Sequence, residues 1–233
     1  MGKRIIQQAR GRGSLTYRVR KSAYKYTLSY PIFEGEAEIT SLIHSPGHTA
    51  PIMKLNTVEK NPVSFYLPAF DKATVGEKIS LGKKEKSVGS ITNLKNIPSG
   101  TRIYDIERNP GDGGKMIRSG GTSALVSRKQ GDKIIITMPS KKEIKLSGEC
   151  RAVIGVIAGA GVKNKPLITA GKNYYKHKAM GRLWPRVSAV SVNAIDHPFG
   201  SGRGKRIKSK TVKRNASPGK RVGHLKPRRT GKK

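Results

Sequence analysis

Cysteine is nearly absent: Cys150 is alone in 233 residues. One thiol cannot build a disulfide framework, as suits an intracellular chain, and with five scattered histidines it offers no zinc-ligand spacing. Acidic side chains are scarce too, with 14 Asp+Glu against 48 Lys+Arg and a formal charge of +34. Self-repulsion at that charge opposes compaction, so the excess implies a polyanionic partner. Nucleic acid is the commonest polyanion. An anionic membrane surface is the competing reading, but it needs an apolar span or a basic amphipathic helix, and the sequence has neither. The opening MGKRIIQQARGRG has no apolar core, so it is not a secretory signal.

The charge is unevenly spread. Residues 1–33 hold eight basic and no acidic side chains, and residues 34–90 balance to zero. Residues 91–173 carry a net nine positive charges and residues 174–233 a net seventeen. The expected organisation is therefore a basic N-terminal arm (1–33), a first β domain (34–89), a second (90–173) and an extended, glycine-rich basic C-terminal arm (174–233). Arms of this composition are expected to be disordered alone and to fold on a polyanion.

Both central segments read as strands. EAEITSLIHS, APIMKLNTVE, PVSFYLPAF and VGEKISLG are rich in β-branched and aromatic residues, with turn residues roughly every ten positions. SITNLKNIPSGTRIYDIERNP and TSALVSRKQGDKIIITMPSKKEIKLSG continue the pattern through Pro-Ser-Gly and Gly-Asp turns. CRAVIGVIAGAG closes it with an apolar run ending in glycines. The spacing fits an all-β chain of two small barrels or sandwiches. After Lys172 the pattern stops, and KNYYKHKAMGRLW fits one helical turn. Val187, Val190 and Val192 alternate as a short strand would.

Candidate binding residues cluster outside the neutral segment. In the N-terminal arm Arg10, Arg12, Arg18 and Lys21 are interleaved with Tyr17, Tyr24, Tyr26 and Tyr30, a pattern suited to base stacking beside phosphate contacts. In Asn109–Lys115 the amides of Gly113 and Gly114, with Lys115, could form an anion nest; a plain tight turn explains the glycines equally well. No helix follows, so nucleotide hydrolysis is not expected there. Trp184 lies between Arg182 and Arg186, where a stacking or cation–π role competes with core packing. From Asn193 to Gly200 the chain can bury no core but can present His197 to another surface. Asp196-His197 invites a hydrolase reading, yet Ser188, Ser191 and Ser201 lie on no nucleophile elbow. Catalysis by the protein is not expected; stacking on a base or donation to a phosphate is, with an ordinary turn histidine as the alternative. A single-stranded nucleic-acid chaperone or DNA-compaction protein would share the charge but needs no such Trp/His segment.

WPRVSAVSVNAIDHPFGSG resembles the signature region of the universal large-subunit ribosomal protein usually numbered two. GKRIIQQARGRGS, NPGDGGK, CRAVIGVIAGAG, KTVKRNASPGKRVG and RRTG resemble that family in the same order, and HPFG with NASPGK is nearest to its archaeal form. The resemblance implies an OB-type barrel followed by an SH3-like barrel, both binding ribosomal RNA, with tails threaded into the large subunit of the cytoplasmic ribosome. It implies a place near the peptidyl transferase centre and a role in subunit association, tRNA binding and peptide-bond formation. The implied partners are large-subunit ribosomal RNA, neighbouring ribosomal proteins, the small subunit and, indirectly, tRNA, without membrane, cofactor or metal. The signature histidine maps onto His197, and its neighbours onto Asn193, Asp196, Pro198 and Gly200. Further RNA contacts are expected from Lys172, Lys176 and His177, from Arg203, Lys205 and Arg206, and from Arg214, Lys220 and Arg221.

Overall fold

The computed structural model describes residues 2–5, 8, 17–59, 61–82, 87–200, 211–217 and 221–225. Arg20–Lys172 form one compact unit; Met1–Val19 with Asn173–Lys233 form a second.

The first unit is a ten-stranded sheet. Its strands are β1 (Gly35–Ile43), β2 (Ile52–Thr57), β3 (Ser64–Pro68), β4 (Lys78–Leu81), β5 (Ile91–Asn93), β6 (Arg102–Tyr104), β7 (Ala124–Gln130), β8 (Lys133–Thr137), β9 (Glu143–Ser147) and β10 (Arg151–Ile154). They are ordered β3-β2-β1-β4-β5-β10-β6-β7-β8-β9, and among the described residues the pairing does not close into a ring. Every pairing is antiparallel except β4–β5, joined in parallel through Leu81 and Ile91. Alternation explains the register: Ala37 and Ile39 on β1 point inward, and a bulge between Ile39 and Ser41 bends the strand. The β7–β8 hairpin turns at Gly131, whose φ of +58° favours glycine.

Two apolar clusters fill this unit. One gathers Ile39, Met53, Leu55, Leu67, Phe70 and Leu81. The other gathers Leu94, Ile97, Ile103, Ile106, Val126 and Ile136. Strand β10 serves both, with Val153 in the first and Ile154 in the second. Tyr104 is fully buried in the first cluster and donates its hydroxyl to the Pro68 carbonyl at 3.2 Å.

Residues from Arg20 to Phe33 belong to this unit, which corrects the expectation of a disordered arm there. Ala23, Leu28 and Tyr30 are buried. The Tyr24 ring meets His48 edge-on at 5.2 Å, and Tyr26 packs on Tyr66 at 4.9 Å. These three tyrosines are thus taken up by the protein's own surface and core. The basic residues between them hid an alternating apolar side.

The second unit is small. Ile5, Phe199 and Val222 are buried together, with Ala189 and Val190 against them. Strands β11 (Thr211–Val212) and β12 (His224–Leu225) pair in parallel. The strand expected at Val187–Val192 is absent; Ala189–Ser191 instead make a 3-10 turn that directs Ala189 and Val190 at the cluster. Helix α1 (Ala170–Ala179) is longer than the single turn expected. It buries no residue, so no apolar stripe marked it; lysines and alanines supply propensity instead. No described helix is long and apolar enough to cross a membrane.

Candidate nucleic-acid interface

Helix α1 ends in a cationic turn: Lys176, His177 and Lys178 lie where the helix dipole favours positive charge. Gly181, at φ +63°, stops it, and the Arg182 N–H donates to the His177 carbonyl at 2.9 Å. A Cβ at Gly181 would overlap Val19, so the chain passes close to this helix end at that residue. Trp184 stacks on His177, with planes 10° apart and centroids 5.8 Å apart. The indole is half-buried, while Lys176, Arg182 and Arg186 are exposed. A half-buried aromatic stack with exposed cations at neighbouring positions in the chain suits base stacking beside phosphate contacts.

Asn193–Gly200 folds back on itself. The Asp196 and His197 amides donate to the Asn193 carbonyl at 3.0 and 3.3 Å, and the Gly200 amide to the His197 carbonyl at 2.8 Å. A Cβ on Gly200 would overlap the Asn193 carbonyl, so only glycine closes the turn. The Phe199 N–H donates to His197 Nδ1 at 3.0 Å. Asp196 pairs with Lys3 at 3.1 Å rather than with the imidazole, an arrangement unlike a carboxylate-oriented catalytic histidine.

In the Asn109–Lys115 turn the glycine amides are already engaged. Gly113 N–H donates to Glu107 Oε1, and Gly114 N–H to Asp112 Oδ1, each at 3.2 Å. Asp112 also accepts from the Arg108 and Asn109 amides at 3.0 and 3.2 Å. The chain's own carboxylates occupy the nest, so the tight-turn reading holds for these glycines; Lys115 is exposed beside them.

Beneath this turn lie two buried acids. Glu107, 0% exposed, accepts from Arg151 Nε and Nη2 at 3.1 and 2.9 Å, and Arg151 Nη1 donates to the Pro31 carbonyl at 2.8 Å. Asp105, also 0% exposed, accepts from Arg118 Nε at 2.8 Å, and Arg118 Nη2 reaches the Leu28 carbonyl at 2.5 Å. The Tyr30 hydroxyl donates to the Asp105 carbonyl. Two acid–arginine pairs thus clamp the segment from Leu28 to Pro31 onto the sheet. Burial raises the Asp105 carboxyl from 3.8 to about 6, against the pull of Arg118 and Lys115. Its Oδ2 has no hydrogen-bond partner among the described residues.

A family described as Ribosomal Proteins L2, C-terminal domain, matches residues 87–219. The large ribosomal subunit protein uL2 of Sulfurisphaera tokodaii is 41% identical over 239 residues, covering 100% of this chain and 99% of that relative. The chain belongs to the uL2 family. The uL2 proteins of Archaeoglobus fulgidus, 42% identical over 99% of both chains, and Methanococcus maripaludis, 42% identical over 100% of both, are similarly close.

The family match takes in the Asn109–Lys115 turn, helix α1 and the His197 turn. Of the uL2 contact residues expected from sequence, the second unit carries Tyr17, Arg18, Lys176, His177, Arg182, Trp184, Arg186, Asn193, His197, Gly200, Arg214 and Arg221. Lys21, Gly113, Gly114, Lys115 and Lys172 belong to the first. Arg10, Arg12, Arg203, Lys205, Arg206 and Lys220 lie outside the described residues. Sequence reasoning missed Asp105, Glu107, Arg118 and Arg151. A signal existed: residues 91–173 hold only six acids, and Asp105 and Glu107 sit two apart in a strand-like run, where both fall on one face.

Proposed function

We propose that this uL2-family chain is a structural constituent of the large ribosomal subunit that binds ribosomal RNA. Charge carries the reading: a net seventeen positive charges lie in residues 174–233, with the Trp184–His177 stack and the His197 turn. Residues 34–89 form an OB-type module and residues 90–173 an SH3-like module. The basic residues of both ends run along RNA phosphates, with Arg10, Arg12, Arg203, Lys205, Arg206 and Lys220 among them. The His197 turn lies near the peptidyl transferase centre and supports subunit association, tRNA binding and peptide-bond formation. The protein positions RNA and is not an enzyme.

Crosslinking in cells, followed by mapping of the bound RNA, tests this. Recovery of one structured region of large-subunit ribosomal RNA is the expected result. Scattered DNA or mixed RNA would instead indicate a nucleic-acid chaperone. In reconstituted particles, His197→Ala is expected to leave RNA affinity largely intact, because many Lys and Arg contacts set it. The loss should fall on subunit joining or peptide-bond formation, and normal function of that variant would refute the role given to His197.

A further inference from the structure

The turn carrying His197 is held from outside by the start of the chain. The Lys3 N–H donates to the Ile195 carbonyl at 2.8 Å, and the Lys3 ammonium lies 3.1 Å from Asp196 Oδ1. Ile5 is buried with Phe199 and Val222. Gly2 runs so close that a Cβ there would sit 3.3 Å from the Ile195 carbonyl oxygen. The ion pair alone is a weak tether, since its side chains are 69% and 37% exposed. The backbone bond and buried Ile5 make the attachment directional.

From inside the turn, the Phe199 N–H points at His197 Nδ1 at 3.0 Å. A backbone N–H can only donate, so Nδ1 is the acceptor and a neutral ring carries its proton on Nε2. Nε2 lies on the far side of the ring from that bond.

We propose that Gly2–Ile5 is a strap that holds the His197 turn in one arrangement, and that turn and strap together present His197 Nε2–H as a fixed hydrogen-bond donor to an acceptor oxygen of RNA. The RNA-facing half of this inference rests on the function proposed above; the strap and the tautomer do not. In this arrangement His197 offers RNA a donor and no acceptor. Lys3 and Ile5 are positioning residues.

Long-range 1H–15N correlation of the histidines in the full-length protein, at alkaline pH where imidazole is neutral, tests the strap. His197→Gln identifies the His197 signals. Wild type is expected to show an unprotonated Nδ1 and a protonated Nε2 at well-separated shifts. Ile5→Ala should move both shifts towards their mean; Lys3→Met, a surface change that removes only the ion pair, should move them the same way but less, and Lys3→Arg should restore the wild-type pattern. Unchanged His197 shifts in both Lys3→Met and Ile5→Ala would overturn the strap, and a protonated Nδ1 in wild type would overturn the fixed donor. In reconstituted large subunits, His197→Gln, which keeps a donor, is expected to retain subunit joining that His197→Phe, which keeps only a ring, loses. Equal activity of those two variants below wild type would overturn the donor role, whereas a silent His197→Ala would remove the functional reading and leave the strap to the shifts.

Discussion

Ionising Asp105 costs stability, and the structure gives the size of that cost. Its carboxyl moves from 3.8 to about 6, chiefly because burial disfavours the charged form. The folded state therefore binds this proton more tightly than the unfolded state does, and stability falls as pH rises through that window. At 1.36 kcal/mol per unit the shift amounts to ~3 kcal/mol, present as extra stability below the window and gone above it. Asp105 is 0% exposed, so solvent screening does not reduce that figure appreciably. Asp105→Asn removes the titrating proton. The variant has its own offset, because Arg118 loses its charged partner, but it lacks the slope. Urea unfolding of the free protein, followed by far-UV circular dichroism between about pH 3 and pH 7, separates the two. Wild type should lose ~3 kcal/mol more than the variant across that range. Parallel profiles would refute the reasoning, and would mean that Arg118 compensates the buried charge fully.

Arg151→Met should destabilise the first unit by about 3–5 kcal/mol in urea unfolding, because it leaves Glu107 buried without its counter-charge. The same variant frees the Pro31 carbonyl, so limited proteolysis should cut earlier near residues 28–33. Gly200→Ala should open the His197 turn while the sheet unfolds at the wild-type midpoint; hydrogen exchange at the His197 amide, faster than in wild type, would register it. Removing residues 205–233, which hold thirteen basic side chains and no acid, should flatten the salt dependence of RNA affinity. The expected reduction is roughly 0.7–0.9 in slope for each phosphate that the truncated chain leaves unneutralised, read from binding isotherms over a salt series.

The ten strands of the first unit were legible because each alternates or runs apolar between turn residues, as in the KIIIT segment that became β8. Their pairing was less so: the parallel β4–β5 ladder rests on one residue pair, which no local pattern encodes. Tyr30 read as a stacking residue because it is one of four tyrosines in a strongly cationic arm, and only the distant Asp105 and Arg151 reveal it as part of the core. The glycines of Asn109–Lys115 suggested an anion nest; the anion is the protein's own, supplied by Asp112 and by Glu107 six residues from Gly113. His197 and Trp184 were visible as unusual residues in a segment with no core. The supports of the His197 turn were not, because Lys3, Ile5 and Val222 lie far away in sequence.

Strand β10 imposes an order on synthesis. The first cluster includes Val153 and Ile157, and the loop after β3 is fastened late: the Ala158 amide bonds to the Ala69 carbonyl, and the Asp71 amide to the Val156 carbonyl. A nascent chain that has released only its first ninety residues therefore exposes an apolar face whose covering is still unmade. Both halves acquire their shared wall together, once about 160 residues have emerged, and until then the cell must shield a sticky, half-neutral polypeptide ahead of its most cationic portion.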